Sequence, residues 1–148
     1  MSLLRHALVL VSASLLFSSC CIFTAKPPVY PTVLLEGGVL IQDLVIPEAG
    51  QPIRSGDRVT IDYSMRLEDG TEVDSTLETG EPISFDVGAG EVPRGLDLGI
   101  VGMLCFGRRR MVLPPEMAYG EEGRSPRIPG NAVVELDVEV IEVGAAAP

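Results

Sequence analysis

Histidine is confined to position 6: the chain holds one, His6, in 148 residues. Everything beyond it therefore lacks histidine-based acid–base catalysis and any histidine-ligated metal site. Cysteine is nearly as scarce, with Cys20, Cys21 and Cys105 the only three. They suggest no disulfide framework, and Cys105, inside the apolar stretch VGMLCF, reads as a small buried residue. Basic side chains are few: 11 Lys and Arg stand against 21 Asp and Glu, a net charge of −10. Such a surface is repelled by nucleic acid and by anionic headgroups, and no basic stripe compensates. The one basic cluster, Arg108-Arg109-Arg110, fits a solvated strand with i, i+2 alternation better than an anion site. No internal repeat is visible, and the length leaves room for one domain plus some extra.

A long hydrophobic run is also missing. The apolar stretch at residues 7–17 is too short for a comfortable membrane span, but it follows a basic start (Arg5, His6) and precedes small residues and a cysteine. That is the layout of a secretory signal. Leu16-Phe17-Ser18-Ser19-Cys20 resembles a bacterial lipobox, which implies a signal peptide over 1–19 and lipidation at Cys20. Cys21 is the other thiol available, and plain secretion with two incidental cysteines is the alternative. Residues 20–37 follow as a proline-rich tether; the sixteen from 22 to 37 hold three prolines without periodicity and reach at most roughly 50–55 Å when extended. Removing residues 1–19 leaves ten basic side chains against 21 acidic ones, a net charge of −11.

From residue 38 the pattern turns periodic. Residues 39–46 read as a strand, and Val59, Ile61, Tyr63 and Met65 alternate with Thr60, Asp62, Ser64 and Arg66 as the buried and wet faces of another. Asp69-Gly70 marks a hairpin. Residues 83–87 form a short strand closed by Gly88, and RRRMVL at 108–113 reads as extended chain. Residues 131–143 form a long strand with Val134, Leu136, Val138 and Val140 on one side. Residues 92–104 favour a helix: Pro93 suits its first position, and Leu96, Ile100, Val101 and Leu104 share a face. Gly95, Gly99 and Gly102 each cost roughly 1 kcal/mol relative to alanine, so this helix persists only against a sheet. The expected fold is α+β: about five antiparallel strands in a curved half-barrel around one short helix, spanning 38–144 and leaving a tail at 145–148.

Specific motifs punctuate this pattern. They are Gly56-Asp57-x-Val59-Thr60-x-x-Tyr63, Leu67-Glu68-Asp69-Gly70-Thr71, Val73-Asp74-Ser75-Thr76, Glu91-Val92-x-Arg94-Gly95, Gly107-x-Arg109-Arg110, residues 114–120 (PPEMAYG) and Ile128-Pro129. In this order and spacing, residues 38–143 resemble an FKBP-type peptidyl-prolyl cis-trans isomerase domain. The resemblance implies a half-barrel wrapped around a short helix, with a substrate pocket between sheet and helix. It places Tyr63, Asp74 and Tyr119 as catalytic residues: Tyr119 offering its hydroxyl to a substrate carbonyl, Asp74 the one rim carboxylate, and Tyr63 bonded near it. Val73, Ile83, Phe85, Val92, Pro93, Leu96, Ile128 and Leu136 line the substrate pocket. No metal or cofactor is implied.

Several positions depart from the family's pattern. Val73, Leu96 and Leu136 stand where bulky aromatics are common, which implies a wider and less aromatic pocket with less contact per proline ring. Pro93 has no N–H where the family commonly uses one to bind substrate or macrolide, and Arg127 replaces an apolar residue beside Ile128. The reading is a prolyl isomerase for exported or envelope proteins, with reduced turnover and weaker macrolide binding. A catalytically weak peptide-binding or chaperone lipoprotein using the same groove is the alternative, and a structural envelope lipoprotein a third. Implied partners are proline-containing clients and a membrane reached through the lipid anchor only, with no nucleic acid. The chain is expected as a monomer facing the periplasm, the outer membrane favoured because no aspartate follows Cys20.

Overall fold

The structure, a computed structural model, describes residues 29–144. The stretch read as a signal peptide, Cys20, Cys21, most of the segment read as a tether and residues 145–148 lie outside that range. Seven strands follow one another as β1 (Thr32–Leu34), β2 (Leu40–Val45), β3 (Arg58–Leu67), β4 (Glu72–Ser75), β5 (Ile83–Asp86), β6 (Arg108–Leu113) and β7 (Val134–Gly144). A four-residue helix, α1 (Thr76–Thr79), separates β4 from β5, and α2 (Arg94–Ile100) separates β5 from β6. All pairings are antiparallel, in the order β1-β2-β6-β7-β3-β4 with β5 also on β3.

The long alternating segments give the middle of this sheet. β7 pairs with β3 from Arg58↔Gly144 to Leu67↔Val134 and with β6 from Arg108↔Glu139 to Leu113↔Val134. The inner face carries Val59, Ile61, Met65, Met111, Leu113, Val134, Leu136, Val138 and Val140, all in the buried core. Side chains alternate across a strand, so the other face takes the charges. There Arg110 bonds Asp137 (2.8 and 3.0 Å), and Arg66 reaches the same carboxylate at 3.4 Å. Arg108 and Arg110 lie on this outer face as the alternation requires. Arg109 between them is buried: its guanidinium pairs with Asp43 at 2.6 Å and donates to the Gly99 and Val101 carbonyls at the end of α2 (2.6 and 3.2 Å). The basic cluster is therefore solvated at two positions of three.

Two elements differ from the expectation at their edges. Thr32–Leu34, within the segment read as tether, pairs with β2 as Thr32↔Gln42, Val33↔Ile41 and Leu34↔Leu40. Proline-rich chain without periodicity joins a sheet edge here because edge pairing needs backbone donors and acceptors rather than a buried face; Leu35 N–H donates to the Val39 carbonyl to close the turn between the two strands. This edge strand and β4, the partner of β3 across the Asp69-Gly70 hairpin, bring the count from about five to seven. The helix is also shorter than residues 92–104. Pro93 caps it rather than opening it, its carbonyl accepting from the Leu96 and Asp97 amides. At the far end Gly102 turns left-handed (φ 82°) and donates to Ile53, which in turn donates to Met103, so the chain leaves the helix to pair with the 53 region.

The glycines that weaken α2 in isolation are what let it lie on the sheet. A Cβ at Gly95 would stand 2.6 Å from a Leu113 methyl and 2.9 Å from the Met117 carbonyl, and one at Gly99 would meet Met111 sulfur at 2.5 Å. Close approach of helix to β6 replaces the side-chain contacts those positions give up.

Candidate functional site

Three segments meet at one end of the sheet. β3 supplies Tyr63, β4 supplies Val73 and Asp74, and the chain between β6 and β7 supplies Tyr119 and residues 124–128. β6 is ended by Pro114-Pro115, which contribute no N–H to a ladder. A 3-10 turn at Pro115–Met117 follows, with Met117 donating to Pro114 and Ala118 to Pro115. Gly120, at φ 63°, folds back so that its N–H reaches the Pro115 carbonyl at 2.7 Å, and its own carbonyl accepts from Asn131. This bracket leaves Tyr119 half-buried against the core.

The hydroxyls of the two tyrosines are in different states. Tyr63 donates to Asp74 Oδ2 at 2.8 Å. Burial raises its pKa well above the usual tyrosine range, the hydrogen bond to and the charge of the Asp74 carboxylate add to the rise, Tyr119 adds further, and Arg124 opposes it. Tyr63 is thus a neutral donor committed to Asp74. Tyr119 Oη has as its partner the Met65 sulfur at 3.8 Å, a weak acceptor. Its proton can move to a stronger acceptor at little cost.

Asp74 and Val73 form one wall of a cleft of about 280 Å³ whose other wall is Arg124, Ser125, Pro126, Arg127 and Ile128. The 124–128 loop is pinned by reciprocal bonds between the Arg124 and Ile128 backbones, at 2.8 and 2.9 Å. Arg127 Nη1 donates to the Val73 carbonyl at 3.1 Å and ties the loop to β4.

Of the expected lining residues, Val73, Phe85, Leu96, Ile128 and Leu136 belong to the buried cluster, and Tyr63, Ile83, Val92 and Tyr119 pack against it. They share one apolar body with different access. Phe85, Leu96 and Leu136 are at most 3% exposed. Val92 and Pro93 sit at the head of α2, half-buried, and Pro93 offers no N–H there. Val73, Asp74 and Ile128 reach the open cleft. Arg124, Ser125 and Pro126, which also line it, are absent from the residues expected from sequence. Their signal was slight: a polar GRSPR stretch between Tyr119 and Ile128 whose wall position only folding reveals.

Another carboxylate shapes the approach to α2. Asp97 is 9% exposed and accepts from the Gly88 and Gly90 amides at 3.0 and 3.2 Å. It thereby holds the loop that delivers Val92 and Pro93. Among the described residues no group of His, Cys, Asp and Glu is arranged to hold a metal ion.

Known proteins resemble this chain in sequence and fold. A family profile described as FKBP-type peptidyl-prolyl cis-trans isomerase matches residues 50–141. The human protein named peptidyl-prolyl cis-trans isomerase FKBP2 is 42% identical over 90 residues, covering 61% of this chain and 63% of that protein. FK506-binding protein 4 of Dictyostelium discoideum is 39% identical over 116 residues, covering 78% of this chain and 31% of that protein. The chain therefore spans less than two thirds of the length of these relatives. Among solved structures, AtFKBP13 is similar at a TM-score of 0.70 with 32% identity, covering 76% of this chain and 98% of that one. FkpA from Escherichia coli gives the same TM-score with 33% identity, covering 78% and 53%. With the profile over most of the folded region and the fold reproduced, the chain belongs to the FKBP-type peptidyl-prolyl cis-trans isomerase family.

Proposed function

We propose that this chain accelerates cis–trans rotation of X–Pro bonds in proline-containing polypeptides, using the cleft between β4 and the 124–128 loop and the apolar side chains beside it. The observation that carries the reading is the pair of hydroxyls: Tyr63 locked to Asp74 at 2.8 Å, and Tyr119 held only by a sulfur at 3.8 Å. Rotation about an X–Pro bond breaks no covalent bond. Its barrier of about 18–20 kcal/mol comes from amide resonance, and the planar, dipolar amide is the form that water stabilises. A desolvated apolar surface withdraws that water and favours the twisted amide. Tyr119 then orients the substrate carbonyl by exchanging its sulfur contact for an oxygen acceptor, while Asp74 keeps Tyr63 fixed beside it. No nucleophile is needed.

Exchange in a short X–Pro peptide, followed by NMR, tests this. The chain should exceed the buffer rate, and Tyr119→Phe should lose about five- to tenfold, near 1 kcal/mol, the range of one hydrogen bond. Asp74→Val should fall as well, because it frees Tyr63. Exchange no faster than buffer would leave a peptide-holding groove instead, the reading favoured by Pro93 at the head of α2.

We also propose a bacterial envelope setting: a signal peptide over 1–19, a lipid on Cys20, and the folded unit facing the periplasm as a monomer, with the outer membrane favoured. The support is the lipobox-like run before Cys20 and the absence of a following aspartate. Cys20→Ser should abolish labelling with an alkyne palmitate analogue while Cys21→Ser retains it.

A further inference from the structure

We propose that the cleft selects X–Pro segments carrying a carboxylate immediately beside the proline, read by Arg124 and Arg127. This inference rests on the isomerase reading above and adds a substrate class to it.

The carrying observation is where the uncommitted cations lie. Residues 29–144 contain nine arginines, no lysine and 21 carboxylates. Arg58, Arg66, Arg108, Arg109 and Arg110 are paired with carboxylates on β2, β4, β5 and β7. The other four, Arg54, Arg94, Arg124 and Arg127, are in no ion pair among the described residues, and two of them, Arg124 and Arg127, line the cleft together. In a molecule this acidic, two cations without a carboxylate partner on one five-residue loop place positive charge at a single opening. Arg127 is held in place by one bond, Nη1 to the Val73 carbonyl, which leaves four of its five N–H donors for a ligand. Anchoring lowers the entropy lost when a guanidinium takes a carboxylate.

Two of the three opposing charges nearby are already engaged. Asp74, the cleft's one carboxylate, accepts the Tyr63 proton at 2.8 Å. Glu72, in the neighbouring cleft that Arg127 also lines, is held by Ser64 at 2.6 Å and Arg66 at 3.3 Å. Glu78 shares that neighbouring cleft but not the one with Arg124. A proline ring seated against Ile128 and Val73 has its neighbouring Cα atoms about 3.8 Å away along the chain, within the same cleft that both arginines line.

The test compares peptides with Glu, Gln, Leu or Lys before the proline, and a second set with the same residues after it. The expected result is a Glu-to-Gln ratio in kcat/KM of about three in at least one set at low salt, the size of an exposed ion pair, with Lys below Gln. The ratio should shrink toward one at about 0.5 M salt, and Arg127→Glu or Arg124→Gln/Arg127→Gln should remove or reverse it. A wild-type ratio at or below one in both sets overturns the proposal, as does a preference that the double variant keeps. If no peptide is turned over, the isomerase reading fails by itself. Dissociation constants of the same peptides, read by NMR titration, then decide: a threefold Glu preference sustains charge selection and equal values sink it.

Discussion

Tyr63 and Tyr119 differ in what their hydroxyls hold, and the difference sets what each can do. Asp137 shows the same logic. It accepts two bonds from Arg110, and that guanidinium, with the nearby charges of Arg66 and Arg108, holds its carboxyl below the usual aspartate range although partial burial pushes the other way. A carboxyl depressed in the folded state stabilises above its unfolded value of about 3.8, and that contribution is lost as pH falls through the folded value. Asp137→Asn should therefore unfold at lower urea near pH 6, with the gap to wild type narrowing from about pH 4 toward pH 2. The loss will be partial, because Arg110 keeps Glu135 at 3.0 Å. An unchanged gap across that window would remove Asp137 as the titrating group.

At the scale of elements, α2 is the informative case. Helix propensity favours alanine over glycine by about 1 kcal/mol, so an isolated view of residues 94–100 has Gly95→Ala stabilising. Packing reverses the sign. The new methyl meets a Leu113 carbon at 2.6 Å and the Met117 backbone oxygen at 2.9 Å, and the oxygen belongs to the turn that mounts Tyr119. Overpacking of this kind costs about 1–3 kcal/mol. Gly95→Ala should thus lower the unfolding free energy read from urea titration by a net of up to about 2 kcal/mol, the overpacking cost less the propensity gain, and also slow X–Pro exchange. Gly102→Ala is the matching control: nothing lies within 4 Å of its Cβ, so its cost is that of φ 82° alone.

Across the whole molecule, charge works against compactness. The described residues carry 21 carboxylates and nine arginines, and most of the ion pairs are half-exposed, where each is worth little. Self-repulsion is the larger effect. The thermal midpoint should rise by a few degrees, about 1 kcal/mol, between about 20 mM and 0.5 M sodium chloride. A midpoint that falls with salt would mean that the outer-face network of Arg66, Arg110 and Asp137 outweighs the repulsion.

Much of this architecture is written locally. Alternation in residues 58–67 and 134–144 determined the central strands, because a period of two fixes which side chains are buried whatever their partners. Asp69-Gly70 determined the hairpin, and Pro114-Pro115 with Gly120 determined the mount for Tyr119, since each acts through its own backbone. Three things were left to the tertiary structure. The short edge strand Thr32–Leu34 exists only because β2 offers an unpaired edge, which no pattern within 32–34 encodes. The burial of Arg109 between two exposed arginines depends on Asp43 and on the end of α2, both distant in sequence. The placing of Arg124 and Arg127 opposite Val73 and Asp74 joins segments about fifty residues apart, and only the packing of the 124–128 loop onto β4 brings them there. Short-range geometry can be read from a chain residue by residue; contacts across such separations are set by which surfaces remain to be covered once the sheet has formed.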